Sequence, residues 1–146
     1  MEFKLVPGLA AKDYVTDLKL CRVLFEDNRY YPWIFLVPKK ENTKNMTYLT
    51  MAERMQLMRE IAMAEDVMLK LFPADQDNVA MIGNMTPQLH VHIVCRRQGD
   101  PEWPDTVWNR TAGKYEPDIK AKMIAEIKAE FEKLETDPQY GQVEAE

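Results

Sequence analysis

The sequence predicts an α+β domain: an antiparallel sheet with a long central helix and a C-terminal helix packed on it. Three observations carry this. Apolar runs of strand length recur at 18–25, 31–37, 78–83 and 88–97. Two stretches, 50–72 and 117–134, repeat their apolar residues at helical spacing. The connections at 26–29 and 83–87 are short and polar, as in hairpins, which makes the strands they join antiparallel neighbours.

Taken in order, Leu18 to Phe25 is rich in apolar and β-branched residues and ends in the turn-forming cluster Glu26-Asp27-Asn28-Arg29. Tyr31 to Val37 is apolar on both faces, which suits a central strand covered on both sides. Pro38 has no N–H to give a ladder and is expected to end the pairing. Thr50 and Glu53 have the spacing of a capping box and open a helix whose stripe is Leu57, Ile61, Ala64, Met68 and Leu71, stopped by Pro73. Its methionines, Met51, Met55, Met58, Met63 and Met68, read as adaptable core and partner-facing residues. Asn78 to Gly83 is a short strand leading through Gly83–Pro87 into the run Gln88–Arg97. Beyond it, Trp103 and Trp108 mark an ordered aromatic loop, since flexible linkers are poor in tryptophan. Pro117 fits the first turn of a helix carrying Ile119, Met123, Ile127, Phe131 and Leu134.

The 146 residues are read as one domain, 1–146, with its core at about 18–134 and an acidic tail, 135–146, expected to fray. A formal net charge of −5 argues against a nucleic-acid partner, which would require a broad basic surface. The N-terminus lacks an apolar signal segment and no run is long and apolar enough to span a bilayer, so a cytoplasmic protein with no membrane partner is expected. Cys21 and Cys95 have no metal-binding spacing and read as buried thiols in a reducing compartment.

The chemistry concentrates at Gln88-Leu89-His90-Val91-His92-Ile93-Val94-Cys95-Arg96-Arg97, which holds both histidines of the chain. On a strand, Leu89, Val91, Ile93 and Cys95 face one way and Gln88, His90, His92, Val94 and Arg96 the other. The two Cα atoms then lie roughly 7 Å apart along the strand, so both rings are within reach of one small ligand. Three chemistries fit. The pair can hold a metal ion, which needs further ligands that no third histidine or same-face cysteine supplies. One imidazole, largely neutral at pH 7, can attack phosphorus or a carbonyl while Gln88 and Arg96 assist an anionic substrate. The same pocket can instead bind a nucleotide without turning it over.

The run 88–94 resembles the histidine triad (HIT) motif, in which three histidines alternate with hydrophobic residues and two more hydrophobics follow. The order of elements is similar too: a hairpin ending in Val37-Pro38-Lys39-Lys40, a long helix, a strand closing on Gly83-Asn84, the motif strand and Arg96. Pro87 to His92 followed by Trp103-Pro104 and Val107-Trp108 is similar to small bacterial HIT proteins. This resemblance, covering about residues 18 to 110, implies an antiparallel sheet of about five strands in a homodimer. It also implies a nucleotide hydrolase or transferase that cleaves an α-phosphate bond of a dinucleoside polyphosphate or nucleoside phosphoramidate. His90 matches the nucleophile and His92 the phosphate-contacting last histidine, while Gln88 departs from the pattern at the first position. A glutamine cannot titrate near neutrality, and a non-catalytic purine-nucleotide-binding or sensing protein is the alternative. The resemblance places Asn84 near the phosphate, Asp27 or Asn28 near ribose hydroxyls and Leu20, Phe25 or Phe35 along the base. It leaves Trp103 and Trp108 as site cover or dimer contact. No cofactor is required, though a divalent cation can accompany a polyphosphate substrate.

Overall fold

A computed structural model of the chain describes residues 3–108 and 111–141. Five strands, β1 (Asp13–Asp17), β2 (Cys21–Phe25), β3 (Trp33–Pro38), β4 (Gln76–Ala80) and β5 (Val91–Arg96), form one antiparallel sheet in the order β1-β2-β3-β5-β4. The helices are α1 (Pro7–Ala10), α2 (Met51–Leu71) and α3 (Pro117–Leu134). β1 is the strand missing from the residue-by-residue reading. It is an edge strand with a carboxylate at each end and a register shift between Tyr14 and Thr16, so it carries little apolar alternation. Residues 18–20 are a turn, closed by Leu18 N–H donating to the Cys21 carbonyl at 2.7 Å.

One sheet face is covered by α2 and α3. Val23, Ile34, Leu36, Val91 and Ile93 pack there against Leu57, Ala64, Met68, Ile127 and Phe131. Leu57, Met68 and Phe131 are fully buried, each contributing about 1.5–3 kcal/mol of hydrophobic stabilisation. Of the α2 methionines, Met63 and Met68 are in the core, whereas Met51, Met55 and Met58 are exposed. The predicted capping box is present: Glu53 N–H donates to Thr50 Oγ1 at 3.1 Å and Thr50 N–H to Glu53 Oε1 at 2.8 Å. Buried Glu60 ties α2 to the sheet by accepting the Leu20 and Cys21 amides, both at 2.8 Å. Cys21 and Cys95 are free, buried thiols.

The other face carries Leu24, Tyr31, Trp33, Phe35 and Val94, covered by Leu9 and Val107 from the N-terminal segment and the loop after β5. The motif run enters the ladder only at Val91, because the Leu89 amide donates to the Thr43 carbonyl at 2.8 Å, outside the sheet. Of the tail, residues 135–141 are described, and most of them are exposed. A 3-10 turn at Pro138–Tyr140 buries Tyr140, whose hydroxyl donates to Asp66 of α2. The remaining tail residues, 142–146, lie outside the described residues.

Candidate active site

β3 and β5 lie side by side, with Phe35 opposite His92 in the register. Alternation puts Trp33 and Phe35 on the same face as His92, away from the helices. His90, one residue before β5, joins them with its ring centroid 4.9 Å from that of His92. Both histidines are more than nine-tenths buried.

Their hydrogen bonds fix opposite tautomers of the neutral rings. His90 Nδ1 lies 2.7 Å from the Gln88 carbonyl oxygen, which only accepts. Nδ1 therefore carries the proton and Nε2 keeps its lone pair. Trp33 Nε1–H donates to His92 Nδ1 at 3.2 Å, so the proton of His92 sits on Nε2. Burial, reinforced by the neighbouring His90 and Lys12, lowers the His92 pKa to about 4 and keeps the ring neutral. One imidazole thus keeps a lone pair on Nε2 and the other a proton on Nε2.

The histidines open on a cleft of about 390 Å³. Trp33, Phe35, Leu9, Ile82 and Trp108 give it apolar walls, and Lys12, Glu26, Asn84 and Thr86 supply polar groups. Lys12 Nζ and Glu26 Oε1 form an ion pair at 2.7 Å, and the ammonium lies 5.3 Å from the Phe35 ring centroid. Trp108 lies against His92, with ring centroids 4.8 Å apart. Among the described residues no cluster of three or more His, Cys, Asp or Glu side chains is arranged to hold a metal ion.

Of the residues expected from the sequence, His90, His92 and Asn84 line the cleft. Gln88 does not: its side chain is buried against the N-terminal segment, accepting from Val6 N–H at 2.8 Å and donating to the Lys4 carbonyl at 3.1 Å. Asp27 turns away to accept the Tyr115 amide at 2.9 Å and to pair with Lys120. Asn28 is buried between the Thr111 carbonyl and the Tyr30 amide. The carboxylate on the cleft wall is their neighbour Glu26. Arg96 does not reach the cleft either: its fork is bidentate to Asp100 at 2.9 and 3.0 Å and also donates to Asn78, with only 2% of the side chain exposed. Held there, it cannot draw in a substrate. Phe35 lines the cleft, whereas Leu20 and Phe25 pack on the helix-covered face. Trp108 covers the site, and Trp103 sits over the Arg96 guanidinium. Lys12 and Glu26 were not expected, because neither belongs to a local pattern with the histidines.

The family model of the HIT domain matches residues 9–99, more than half of the chain. The chain belongs to the HIT family. Three HIT-family crystal structures, all of histidine triad proteins, are similar over nearly their whole length. The one from Marinobacter aquaeolei VT8 is 34% identical with a TM-score of 0.86, covering 92% of this chain and 99% of the other. That from Bradyrhizobium japonicum is 30% identical with a TM-score of 0.86, covering 90% and 99%. That from Sinorhizobium meliloti 1021 is 30% identical with a TM-score of 0.84, covering 88% and 96%. A search of curated proteins returns no significant match. Among the described residues, no helix of this HIT protein is long and apolar enough to cross a membrane.

Proposed function

We propose that this HIT protein is a nucleotide hydrolase or transferase that cleaves an α-phosphate bond through a nucleotidyl-histidine on His90. The observation that carries this reading is the pair of opposite tautomers. The Nε2 lone pair of His90 attacks the α-phosphorus, the bond to the leaving group breaks, and the leaving group departs with its electron pair. The ring, now bonded to phosphorus at Nε2 and protonated at Nδ1, is cationic, and the Gln88 carbonyl 2.7 Å from Nδ1 stabilises it. His92 Nε2–H donates to a non-bridging phosphate oxygen, on which charge develops. Water or another acceptor then attacks phosphorus, the electron pair of the P–N bond returns to His90, and the proton of the attacking hydroxyl passes through solvent, balancing the one taken up by the departed leaving group.

Glu26 supports the nucleotide reading as the acceptor for ribose hydroxyls, in place of Asp27 and Asn28, and Leu9, Ile82 and Phe35 supply apolar surface for a base. The reading requires no bound metal. Glutamine at the first motif position does not weaken it, because that side chain serves the N-terminal segment and not the cleft.

The test is intact-protein mass spectrometry after brief, cold incubation with adenosine and guanosine phosphoramidates and diadenosine polyphosphates. A transient gain of one nucleoside monophosphate is expected for the native chain and none for His90→Ala. Nucleotide binding with neither adduct nor product would replace this reading with that of a binding protein.

A further inference from the structure

The N-terminal segment enters the cleft as a strap. Lys4 to Val6 run past Gln88, α1 turns the chain, Gly8 and Leu9 form part of the cleft wall, and Lys12 brings an ammonium to it. α1 is a single turn, too short to be stable by itself. The strap is held by buried Leu9, by Phe3, Leu5 and Val6 packed beside it, by the Lys4 amide donating to Glu41, and by the Gln88 amide, which accepts from Val6 N–H and donates to the Lys4 carbonyl as a neighbouring strand would. Gln88 lies two residues before His90 and its backbone carbonyl accepts the Nδ1 proton, so one residue joins the nucleophile to the strap.

Lys12 has one ion pair among the described residues, with Glu26. An ammonium has three donors, and this pair uses one. The remaining charge still reaches the histidines, since Lys12 helps hold His92 neutral despite the carboxylate beside it.

We propose that Lys12, presented by a strap that Gln88 clasps, binds an anionic group of the substrate next to the attacked phosphorus, so that the cleft selects nucleoside polyphosphates over phosphoramidates with uncharged amine leaving groups. Gln88 is a positioning residue in this arrangement and does not touch substrate. The inference rests on the nucleotide reading of the cleft and assigns its specificity.

The test uses the full chain without divalent cations. Adenosine, AMP, ADP and ATP are titrated against the fluorescence of Trp33 and Trp108, which line the cleft, in the native chain, Lys12→Gln and Gln88→Ala. Hydrogen exchange of residues 3–12 is followed in parallel. Native affinity is expected to rise roughly tenfold or more from AMP to ATP, the scale of a charge-assisted contact. Lys12→Gln should abolish that rise, so that AMP, ADP and ATP bind alike. Gln88→Ala should abolish it too and speed exchange at Val6 and its neighbours, with β2 and β3 still protected. Equal native affinity for AMP and ATP, or a rise that survives Lys12→Gln, overturns the assignment of Lys12. Unchanged strap exchange in Gln88→Ala overturns the clasp. Nucleotide binding without the charge-dependent rise defeats this inference alone. A rise with no covalent adduct defeats the proposed catalysis and leaves Lys12 assigned. Absence of all nucleotide binding defeats both.

Discussion

The indole N–H of Trp33 donates to Nδ1 of His92 across the boundary between β3 and β5, at 3.2 Å. The bond turns the Nε2–H of His92 toward the cleft, although neither residue is local to the other in sequence.

Trp33→Phe keeps an aromatic ring against His92 and removes the donor. kcat of the folded fraction is expected to fall about tenfold, matching the ~1–1.5 kcal/mol of one hydrogen bond, with a loss of stability on the order of 1–3 kcal/mol from the trimmed, buried ring. Nitrogen-15 NMR of the imidazole should show His92 losing its single tautomer. An unaltered tautomer in the variant would remove Trp33 from the mechanism.

The lowered pKa of His92 makes stability depend on pH. Between about 6.5 and about 4 the unfolded chain binds a proton that folded His92 refuses. This contribution is therefore complete above 6.5 and is lost as pH falls toward 4. His92→Asn should flatten that part of the curve in denaturant titrations.

An opposite slope comes from Glu65 of α2. The neighbouring carboxyl of Asp77 in β4, then burial and the charge of Asp66, raise its pKa to about 7 against an ordinary 4.5. The folded chain holds the Glu65 proton where the unfolded chain has released it, so stability falls as pH rises from 4.5 to 7. Asp77 Oδ2 is buried without a hydrogen-bond partner. Asp77→Asn gives Glu65 a donor and should raise Tm at pH 8 by roughly a few degrees. A lower Tm there would show that the carboxyl pair is not the source of the slope.

The Arg96–Asp100 pair is buried on both sides, each side chain 2% exposed. Asp100→Asn strands the guanidinium and is expected to cost about 3–5 kcal/mol of folding stability. Nucleotide affinity of the folded fraction should be unchanged, since neither residue lines the cleft. A selective loss of affinity would return Arg96 to the site.

What the sequence made legible is what local periodicity encodes. The split between Leu89, Val91, Ile93, Cys95 and the histidine face is observed, as are the Thr50 cap and the helix beginning at Pro117. β1 was illegible because an edge strand tolerates charge on a short, bulged run. Gln88 was misplaced because its partners are backbone groups of residues 4 and 6, which any sequence presents. Asp27 and Glu26 are adjacent and both acidic, and only the turn decides which of them faces the cleft. Arg96 follows the predicted alternation, yet Asp100, four residues on, captures it first.

The register of β3 against β5 has a consequence for assembly. Phe35 faces His92 and Trp33 reaches it diagonally, so the tautomer-setting bond spans a strand pair whose side chains alternate with a period of two residues. A slip of one residue would turn His92 toward the helices and leave the indole without its acceptor. Under the proposed mechanism a mis-paired molecule is therefore not slow but blank. The proposed activity is then a parity check on the sheet, and the fraction of a refolded sample that forms the nucleotidyl-histidine should count the correctly paired molecules in it.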